Sequence, residues 1–172
     1  AQQMAFWVNL YNASTVSLIL EHYPVTSIKK IGSIISSPWD KKFITVNRKA
    51  LSLNNIEHGI LRPIFNDSRI HYVVNCASKG CPNLPKKALT SANAQRVLDR
   101  AARSYINHPR GLEVKQGRLK LSTLYKWYRN DFGRTKAQLV SHLSRYARPE
   151  IRRKIKQHYP IDYHYDWSLN EP

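Results

Sequence analysis

The chain has 172 residues, of which 42% are hydrophobic, and its 28 Lys and Arg outnumber 11 Asp and Glu to give a formal net charge of +17. This length and apolar content suffice for one sizeable core, so we predict a single domain over residues 1–172. No run approaches the roughly 20 apolar residues of a membrane span, and two cysteines are too few for a disulfide framework. The positive charge attracts polyanions such as nucleic acid, anionic lipid or acidic glycans.

The first predicted element is a helix at residues 5–22, which Pro24 ends. Apolar residues occur on all sides of its 3.6-residue period, which predicts burial over most of the circumference. Asn9 and Asn12 share one face of this helix, and buried amides need hydrogen-bond partners. They are either structural links to a neighbouring loop or binding residues. Because the helix begins without a cap, we expect the natural protein to extend upstream.

The next stretch, residues 24–40, is loop-like, and residues 43–51 predict a short hairpin. Ser52 is placed to cap a helix over residues 53–61, and Pro63 is expected to stop it.

One side of this helix is polar. Asn54, His58 and Arg62 are spaced four residues apart, and Glu57 is adjacent. An imidazole, a carboxylate and a guanidinium are thereby concentrated together, although solvated helix faces have the same composition.

Both cysteines occur in the stretch 70–82, IHYVVNCASKGCP, at the end of one apolar run. The alternation of residues 70–75 predicts a buried strand that ends at Cys76. On a strand, His71 and Cys76 point to opposite faces. His58, from the preceding helix, is therefore the better candidate base for Cys76.

The turn after Cys76 contains Lys79 and Cys81, so both thiols lie beside a cation and backbone N–H groups that favour a thiolate. We predict at least one reduced, reactive cysteine. Cys81 is favoured, because a turn is more accessible than the end of a buried strand. The alternatives are two packed, inert thiols or a disulfide between them.

The second half of the chain predicts helices, a hairpin and a final extended segment. These are a helix at residues 92–107, a hairpin at 112–121, an aromatic helix capped by Ser122 and stopped by Gly133, two helices within 134–158 split at Pro149, and an extended segment at 161–167. The predicted fold class is α+β, with several helices packed on a small, mostly antiparallel sheet.

Basic residues dominate residues 134–158, where Glu150 is the single acid. We therefore predict polyanion binding without sequence specificity in this region. The residues expected to make it are Arg152, Arg153, Lys154 and Lys156.

Five motifs occur in order along the chain. They are FWVNLYN at 6–12, LSLNNIEHGILR at 51–62, NCASKGCP at 75–82, LYKWYRNDFG at 124–133 and YDWSLN at 165–170. With these motifs the sequence resembles domain-of-unknown-function family 547 over nearly its whole length. The resemblance implies a mixed α+β domain, an exported or periplasmic location and, by a looser structural analogy, a relation to papain-like cysteine hydrolases. Here the candidate histidine precedes the cysteines, so only a rearranged topology could match papain.

Two functions from different classes follow. The first is a cysteine-dependent hydrolase or acyl transferase that acts on an amide or thioester. In it, Cys81 or Cys76 attacks, His58 is the general base, Glu57 orients the imidazole and loop N–H groups hold the oxyanion. The alternative is a non-catalytic module that binds a peptide or a small anionic ligand.

The predicted substrate-binding residues are Asn9, Asn12, Arg62 and Lys79. We expect the face of Asn9 and Asn12 to line one pocket with the polar stripe of His58.

A zinc site would need His58, His71, Cys76 and Cys81, but the gap between the cysteines is four residues rather than the usual two. No metal is predicted. The sequence also lacks a phosphate-binding glycine loop and a dinucleotide fingerprint, so no cofactor is predicted.

Overall fold

The computed structural model describes residues 1–32 and 36–171, and the predicted α+β fold class is confirmed. The helices are α1 (Gln2–Glu21), α2 (Leu53–Ile56), α3 (Arg62–Phe65), α4 (Ala94–Ile106), α5 (Leu124–Trp127), α6 (Arg129–Phe132), α7 (Lys136–Tyr146) and α8 (Pro149–Lys154). The strands are β1 (Ile44–Val46), β2 (Lys49–Leu51), β3 (Leu112–Lys115), β4 (Arg118–Ser122) and β5 (Ile161–His164). The predicted loop at 24–40 contains two short 3₁₀ turns, and its residues 33–35 lie outside the described residues.

The strands form two small sheets rather than one, and most of the pairing is antiparallel as predicted. In the β1–β2 hairpin Ile44 lies opposite Leu51. β3 and β4 form the second predicted hairpin, and β5 pairs with β4 in parallel, with Leu119 opposite Ile161. The parallel pairing is possible because α5–α8 provide the long crossover that such a connection needs.

Helix α1 ends before Pro24 as predicted, but it is buried on one side only. Its exposed side carries Phe6, Val16 and Leu20, which are 50%, 41% and 68% exposed. The prediction of burial around most of the circumference is wrong, because the neighbouring elements cover a single stripe of the helix.

The cap of α2 is confirmed. Ser52 accepts a hydrogen bond from the Asn55 N–H, and the Asn55 side chain accepts one from the Ser52 N–H. The helix then continues through a π-helical turn at Glu57–Leu61 and through Pro63 into α3. The prediction that Pro63 stops the helix is wrong, because Pro63 lies in the first turn of α3, where a missing N–H is tolerated.

The predicted strand at residues 70–75 is also wrong. Residues Ser68–Tyr72 form a 3₁₀ turn, which begins where the Asp67 carboxylate accepts a hydrogen bond from the Arg69 N–H. The apolar residues that suggested a strand are instead divided between two clusters. Ile70 and Val73 pack in the first and Tyr72 packs in the second.

These two clusters make up the core. The first joins α1, α2 and the N-terminal half of α4, and the second joins the C-terminal half of α4 to β3, β4 and α5–α7. The segment 70–76 runs between them. Its side chains therefore reach the space where the two clusters meet.

The C-terminal half follows the sequence prediction closely. The predicted aromatic helix is broken at Tyr128 into α5 and α6, the Ser122 hydroxyl accepts a hydrogen bond from the Leu124 N–H, and Gly133 ends α6 with φ of 134°. α7 and α8 are separated at Pro149 as expected. Within residues 1–32 and 36–171, no helix has the length and hydropathy to cross a membrane.

Candidate functional site

A cavity of about 300 Å³ lies where the two clusters meet, and both cysteines line it. Glu57 from the π-helical turn and His71 from the 3₁₀ turn share its wall with Tyr165, which follows β5. The cavity therefore collects thiols, an imidazole and a carboxylate from distant parts of the chain.

The two thiols are in direct contact. The Cys76 and Cys81 sulfurs are 2.8 Å apart, both cysteines are free, and the Cys76 N–H donates to the Cys81 sulfur at 2.9 Å. Cys76 is partly exposed, whereas Cys81 is 3% exposed. The expected order of accessibility is therefore wrong. The turn folds back on itself through a hydrogen bond from the Cys81 N–H to the Ser78 carbonyl, which carries the Cys81 side chain inward.

The C-terminal segment holds this turn from outside. The Lys79 N–H donates to the Ser168 carbonyl at 2.9 Å, and the Gly80 N–H donates to the Asp166 carbonyl at 2.8 Å. A Cβ atom at Gly80 would lie 2.9 Å from the Asp166 backbone, so this approach requires glycine. The contact places the neighbouring Tyr165 beside the thiols.

Hydrogen bonds to its sulfur make Cys76 the more acidic thiol. The Cys81 thiol has the largest effect and lowers the pKa of Cys76 to about 7, against burial, which raises it. The hydroxyls of Tyr165 at 3.0 Å and Ser78 at 3.3 Å add to the lowering. Burial and the hydrogen bond to Cys76 raise the pKa of Cys81. The thiolate of this pair therefore resides on Cys76.

Most backbone N–H groups of the turn are already engaged. The Ala77 N–H donates to the Asn75 side chain at 2.7 Å, and those of Cys76, Lys79 and Cys81 have the partners given above. The Ser78 N–H instead interacts with the Cys76 sulfur and helps to lower its pKa, so the oxyanion role of the loop N–H groups stays a prediction. The hydroxyls of Tyr165 and Ser78 lie beside the same sulfur, at 3.0 and 3.3 Å.

His71 is held by a carboxylate on one side. Its Nε2 lies 2.7 Å from Asp131 Oδ2, and Arg62 donates two hydrogen bonds to the same carboxylate at 2.6 and 3.0 Å. Burial raises the pKa of Asp131, but the hydrogen bonds from His71 and Arg62 outweigh it and keep that pKa well below its usual value. Because an ionised carboxylate only accepts hydrogen bonds, His71 Nε2 carries a proton.

The other ring nitrogen of His71 has no hydrogen-bond partner among the described residues, although the side chain is 1% exposed. Nδ1 lies 3.8 Å from Glu57 Oε1, and the ring stacks on Tyr128 with 3.9 Å between centroids. Glu57 accepts a hydrogen bond from the Tyr11 hydroxyl at 3.0 Å. Burial, followed by the charge of Glu57, raises the pKa of Tyr128. An unsatisfied basic nitrogen is thus fixed in place at the cavity.

The family described as "Protein of unknown function, DUF547" matches residues 1–106. The chain belongs to the DUF547 family. The matched residues include Glu57, His71 and both cysteines, whereas Asp131 and Tyr165 lie beyond them. No curated protein and no solved structure matches the chain.

In this DUF547 chain His58 lies away from the thiols. It is exposed, does not line the cavity, and its Nδ1 accepts a hydrogen bond from Arg62 at 2.9 Å. His71 shares the cavity with Cys76, so the inference that these two residues face apart is wrong. It failed because it relied on the alternation of a strand that does not form.

The predicted substrate-binding residues are also placed elsewhere. Asn9 holds the backbone of Leu89 through two hydrogen bonds of 2.9 Å. Asn12 donates to the Val73 carbonyl at 2.8 Å and accepts from the Asn75 N–H at 2.9 Å. Both amides are structural links, and they line a groove that His58, among the described residues, does not share.

The two predicted cations are likewise outside the cavity. Arg62 is committed to Asp131 and stacks on Tyr128 at 4.9 Å. Lys79 is exposed and faces a separate groove with Arg110. The four residues considered for zinc do not form a metal-binding group, and none exists in the described part of the chain.

Sequence reasoning missed three residues of the site, namely His71, Asp131 and Tyr165. His71 was set aside because of the predicted strand. Asp131 and Tyr165 occur in two of the motifs that carry the family resemblance, NDFG and YDWSLN. An acid inside an aromatic helical segment was a usable signal, because a carboxylate beside buried rings needs a cationic or N–H partner.

Proposed function

We propose that this protein is a cysteine-dependent hydrolase or acyl transferase that acts on an amide or thioester. Cys76 is the nucleophile, His71 is the general base and acid, and Asp131 orients the imidazole through Nε2. The observation that carries the proposal is that a partly exposed thiol with a lowered pKa shares one cavity with a buried imidazole whose Nδ1 has no hydrogen-bond partner in the described chain.

The reaction follows from the roles of these atoms. The Cys76 thiolate attacks the carbonyl carbon and forms a carbon–sulfur bond, while the charge on the carbonyl oxygen is stabilised by the Tyr165 hydroxyl. His71 holds the thiol proton on Nδ1 and gives it to the departing amine or thiol. The acyl group remains on Cys76 as a thioester. Water, or another nucleophile in the transferase case, then loses its proton to His71 Nδ1 and releases the acyl group.

The roles of Asp131 and Tyr165 have support in their protonation. Asp131 is ionised because its pKa is depressed, so it holds the neutral imidazole in the tautomer with the proton on Nε2 and stabilises the imidazolium when Nδ1 is protonated. Burial, followed by the nearby thiols, raises the pKa of Tyr165, so its hydroxyl keeps the proton that it donates. Glu57 lies beside Nδ1 and adds to the stabilisation of the protonated ring.

The test uses phenyl thioacetate, a small thioester, and intact-mass spectrometry. We expect one acetyl group on Cys76 and release of thiophenol, followed by loss of the acetyl group with time. Cys76→Ser should abolish thiophenol release. His71→Gln should lower the rate by about 100-fold or more, as is usual for removal of a general base.

The matched control is His58→Gln, which removes an imidazole outside the cavity and should leave the rate unchanged. Equal rates for His71→Gln and the wild-type protein would refute the role of His71. Failure of the wild-type protein to acquire an acetyl group on Cys76 would refute the catalytic proposal itself, and favour a binding module.

We also propose that the basic surface formed by α8 and the residues just after it binds polyanions. The four residues Arg152, Arg153, Lys154 and Lys156 are exposed, and Glu150 is paired with Arg148 at 3.2 Å. Replacing the four with Gln should lower the slope of log affinity for DNA against log salt by about 3, since each phosphate contact contributes roughly 0.7–0.9. The control is replacement by Gln of four exposed lysines elsewhere in the chain, Lys30, Lys41, Lys42 and Lys49. Equal slopes for the two variants would refute a specific role for α8.

A further inference from the structure

The cavity beside Cys76 has an aromatic wall. Trp39, Trp127 and Trp167, three of the four tryptophans in the chain, line it together with Tyr165. The ring centroids of Trp127 and Tyr165 are 4.8 Å apart, those of Tyr165 and Trp167 are 4.7 Å apart, and those of Trp39 and Trp167 are 5.7 Å apart. These contacts make one continuous ring surface that starts at the nucleophile, since the Tyr165 hydroxyl touches the Cys76 sulfur.

The opening of the cavity belongs to the same surface. Trp127 is 46% exposed although it lines the cavity, so its ring reaches from the interior to solvent. Tryptophan rings are mostly buried, so the exposed part of Trp127 places a large apolar surface at the entrance to the cavity. The ring is therefore available to an incoming apolar group.

The cavity lacks the lysine and arginine side chains that dominate the charge of the protein. The chain carries a net charge of +17, yet no lysine or arginine of residues 1–32 and 36–171 lines the cavity. Lys29 lies over Trp167 at 5.0 Å without being part of the lining. Two acidic side chains, Glu57 and Cys76, line the cavity, and the basic side chain among its described lining residues is His71. The His71 ring already faces the carboxyl groups of Asp131 at 2.7 Å and Glu57 at 3.8 Å, so an anionic substrate group would have to compete with both for it.

A cationic group is also disfavoured. His71 takes up a proton during the proposed reaction, and a second cation in a space of about 300 Å³ would oppose that step. The volume is at the lower end of the range for small-molecule sites, roughly 300–1,000 Å³. It has room for a small flat group next to the reacting carbonyl.

We propose that the substrate of the Cys76 site is an amide or thioester whose acyl portion is an uncharged aromatic group, bound on the ring surface of Trp39, Trp127, Trp167 and Tyr165. This inference rests on the proposed function for the identity of the reacting carbonyl. It differs from the alternative that the sequence left open, a module that binds a peptide or a small anionic ligand. The aromatic wall supplies the affinity, and the absence of lysine and arginine among the described lining residues supplies the discrimination against carboxylates.

The test compares three electrophiles that report on Cys76 without turnover. Iodoacetamide is neutral, iodoacetate has nearly the same size and a negative charge, and N-benzyl iodoacetamide adds a neutral ring. Rates of Cys76 alkylation are measured by peptide mass spectrometry and divided by the rates for glutathione at the same pH. This normalisation removes the intrinsic reactivity of each reagent.

We expect the normalised preference for iodoacetamide over iodoacetate to be about tenfold, and N-benzyl iodoacetamide to react about tenfold faster than iodoacetamide with saturation kinetics. Glu57→Gln should reduce the first ratio, and Trp127→Leu should reduce the second. Trp7→Leu is the matched control, because Trp7 packs against the core and does not line the cavity.

Normalised ratios near one in the wild-type protein would overturn the inference, and this comparison needs no variant to fold. The outcome is distinguishable from failure of the proposed function. If the ratios are large but phenyl thioacetate leaves no acetyl group on Cys76, the cavity has the inferred selectivity without the proposed chemistry. If the acetyl group forms and the ratios are near one, only the aromatic substrate class is refuted.

Discussion

Replacement of Cys81 by alanine tests what makes Cys76 acidic. The Cys81 thiol is the largest of the influences that lower the pKa of Cys76 to about 7, ahead of Ser78 and Tyr165. Alanine removes the hydrogen bond that joins the two sulfurs at 2.8 Å and leaves both hydroxyls in place. We therefore expect the pKa of Cys76 to rise toward the ordinary thiol value of about 8.5.

The size of the effect follows from the thiolate fraction. At pH 7 a rise of the Cys76 pKa from about 7 to about 8.5 lowers that fraction from about one half to about 3%, roughly 16-fold. The more basic thiolate is intrinsically more nucleophilic, by about fivefold for a Brønsted coefficient of roughly 0.4–0.5. Alkylation should therefore be about threefold slower at pH 7 and about fivefold faster on the alkaline plateau.

The assay is the rate of Cys76 alkylation by iodoacetamide from pH 5 to 10, read by peptide mass spectrometry. The wild-type rate should rise with pH around a midpoint near 7, because the thiolate is the reactive form. Cys81→Ser is the matched control, since its hydroxyl can still donate to the Cys76 sulfur, and its midpoint should lie between the other two. A midpoint in Cys81→Ala equal to that of the wild-type protein would refute the assigned cause.

Asp131→Asn should destabilise the fold by about 2 kcal/mol at pH 7, because it removes a charge-assisted pair with Arg62. The Asp131 pKa is lowered in the folded state, so its contribution is full above the unfolded value of about 3.9 and is lost as the pH falls below it. Urea unfolding at pH 7 and pH 3 measures this difference in stability. The control is Asp162→Asn, which removes a more solvent-exposed pair with Arg118, and a difference for Asp131→Asn that grows in acid would contradict the prediction. Mild oxidation with diamide should join Cys76 and Cys81 in a disulfide and protect Cys76 from alkylation until dithiothreitol is added; protection that persists in Cys81→Ser would contradict this pairing.

Local sequence determined several elements of this protein without help from the rest of the chain. Ser52 and Asn55 satisfy each other's backbone groups within one helical turn, and the β1–β2 hairpin turns at Asn47 and Arg48, which both take positive φ. The amphipathic α4 has its expected position. These features depend on neighbouring residues, so their physical causes are visible in a short stretch of sequence.

In the segment around the cysteines, tertiary packing overrides the local preference for a strand. Residues 70–75 have strand-forming side chains, but Ile70 and Tyr72 pack in different apolar clusters. A 3₁₀ turn allows both side chains to be buried in their own cluster. None of the strands in the described part of the chain pairs with the segment. The choice between His58 and His71 as partner of Cys76 depended on this outcome.

The sequence alone determined an α+β fold and a candidate site that contains two thiols and a glutamate. Only the tertiary structure decided which of them meet. Asp131 reaches His71 across 60 residues, and Tyr165 reaches Cys76 across 89, through contacts that no local pattern encodes. The exposure of Cys76 and the burial of Cys81 likewise follow from how the C-terminal segment clamps the turn, because accessibility and pKa are properties of the assembled surroundings and not of the residue or its neighbours in sequence.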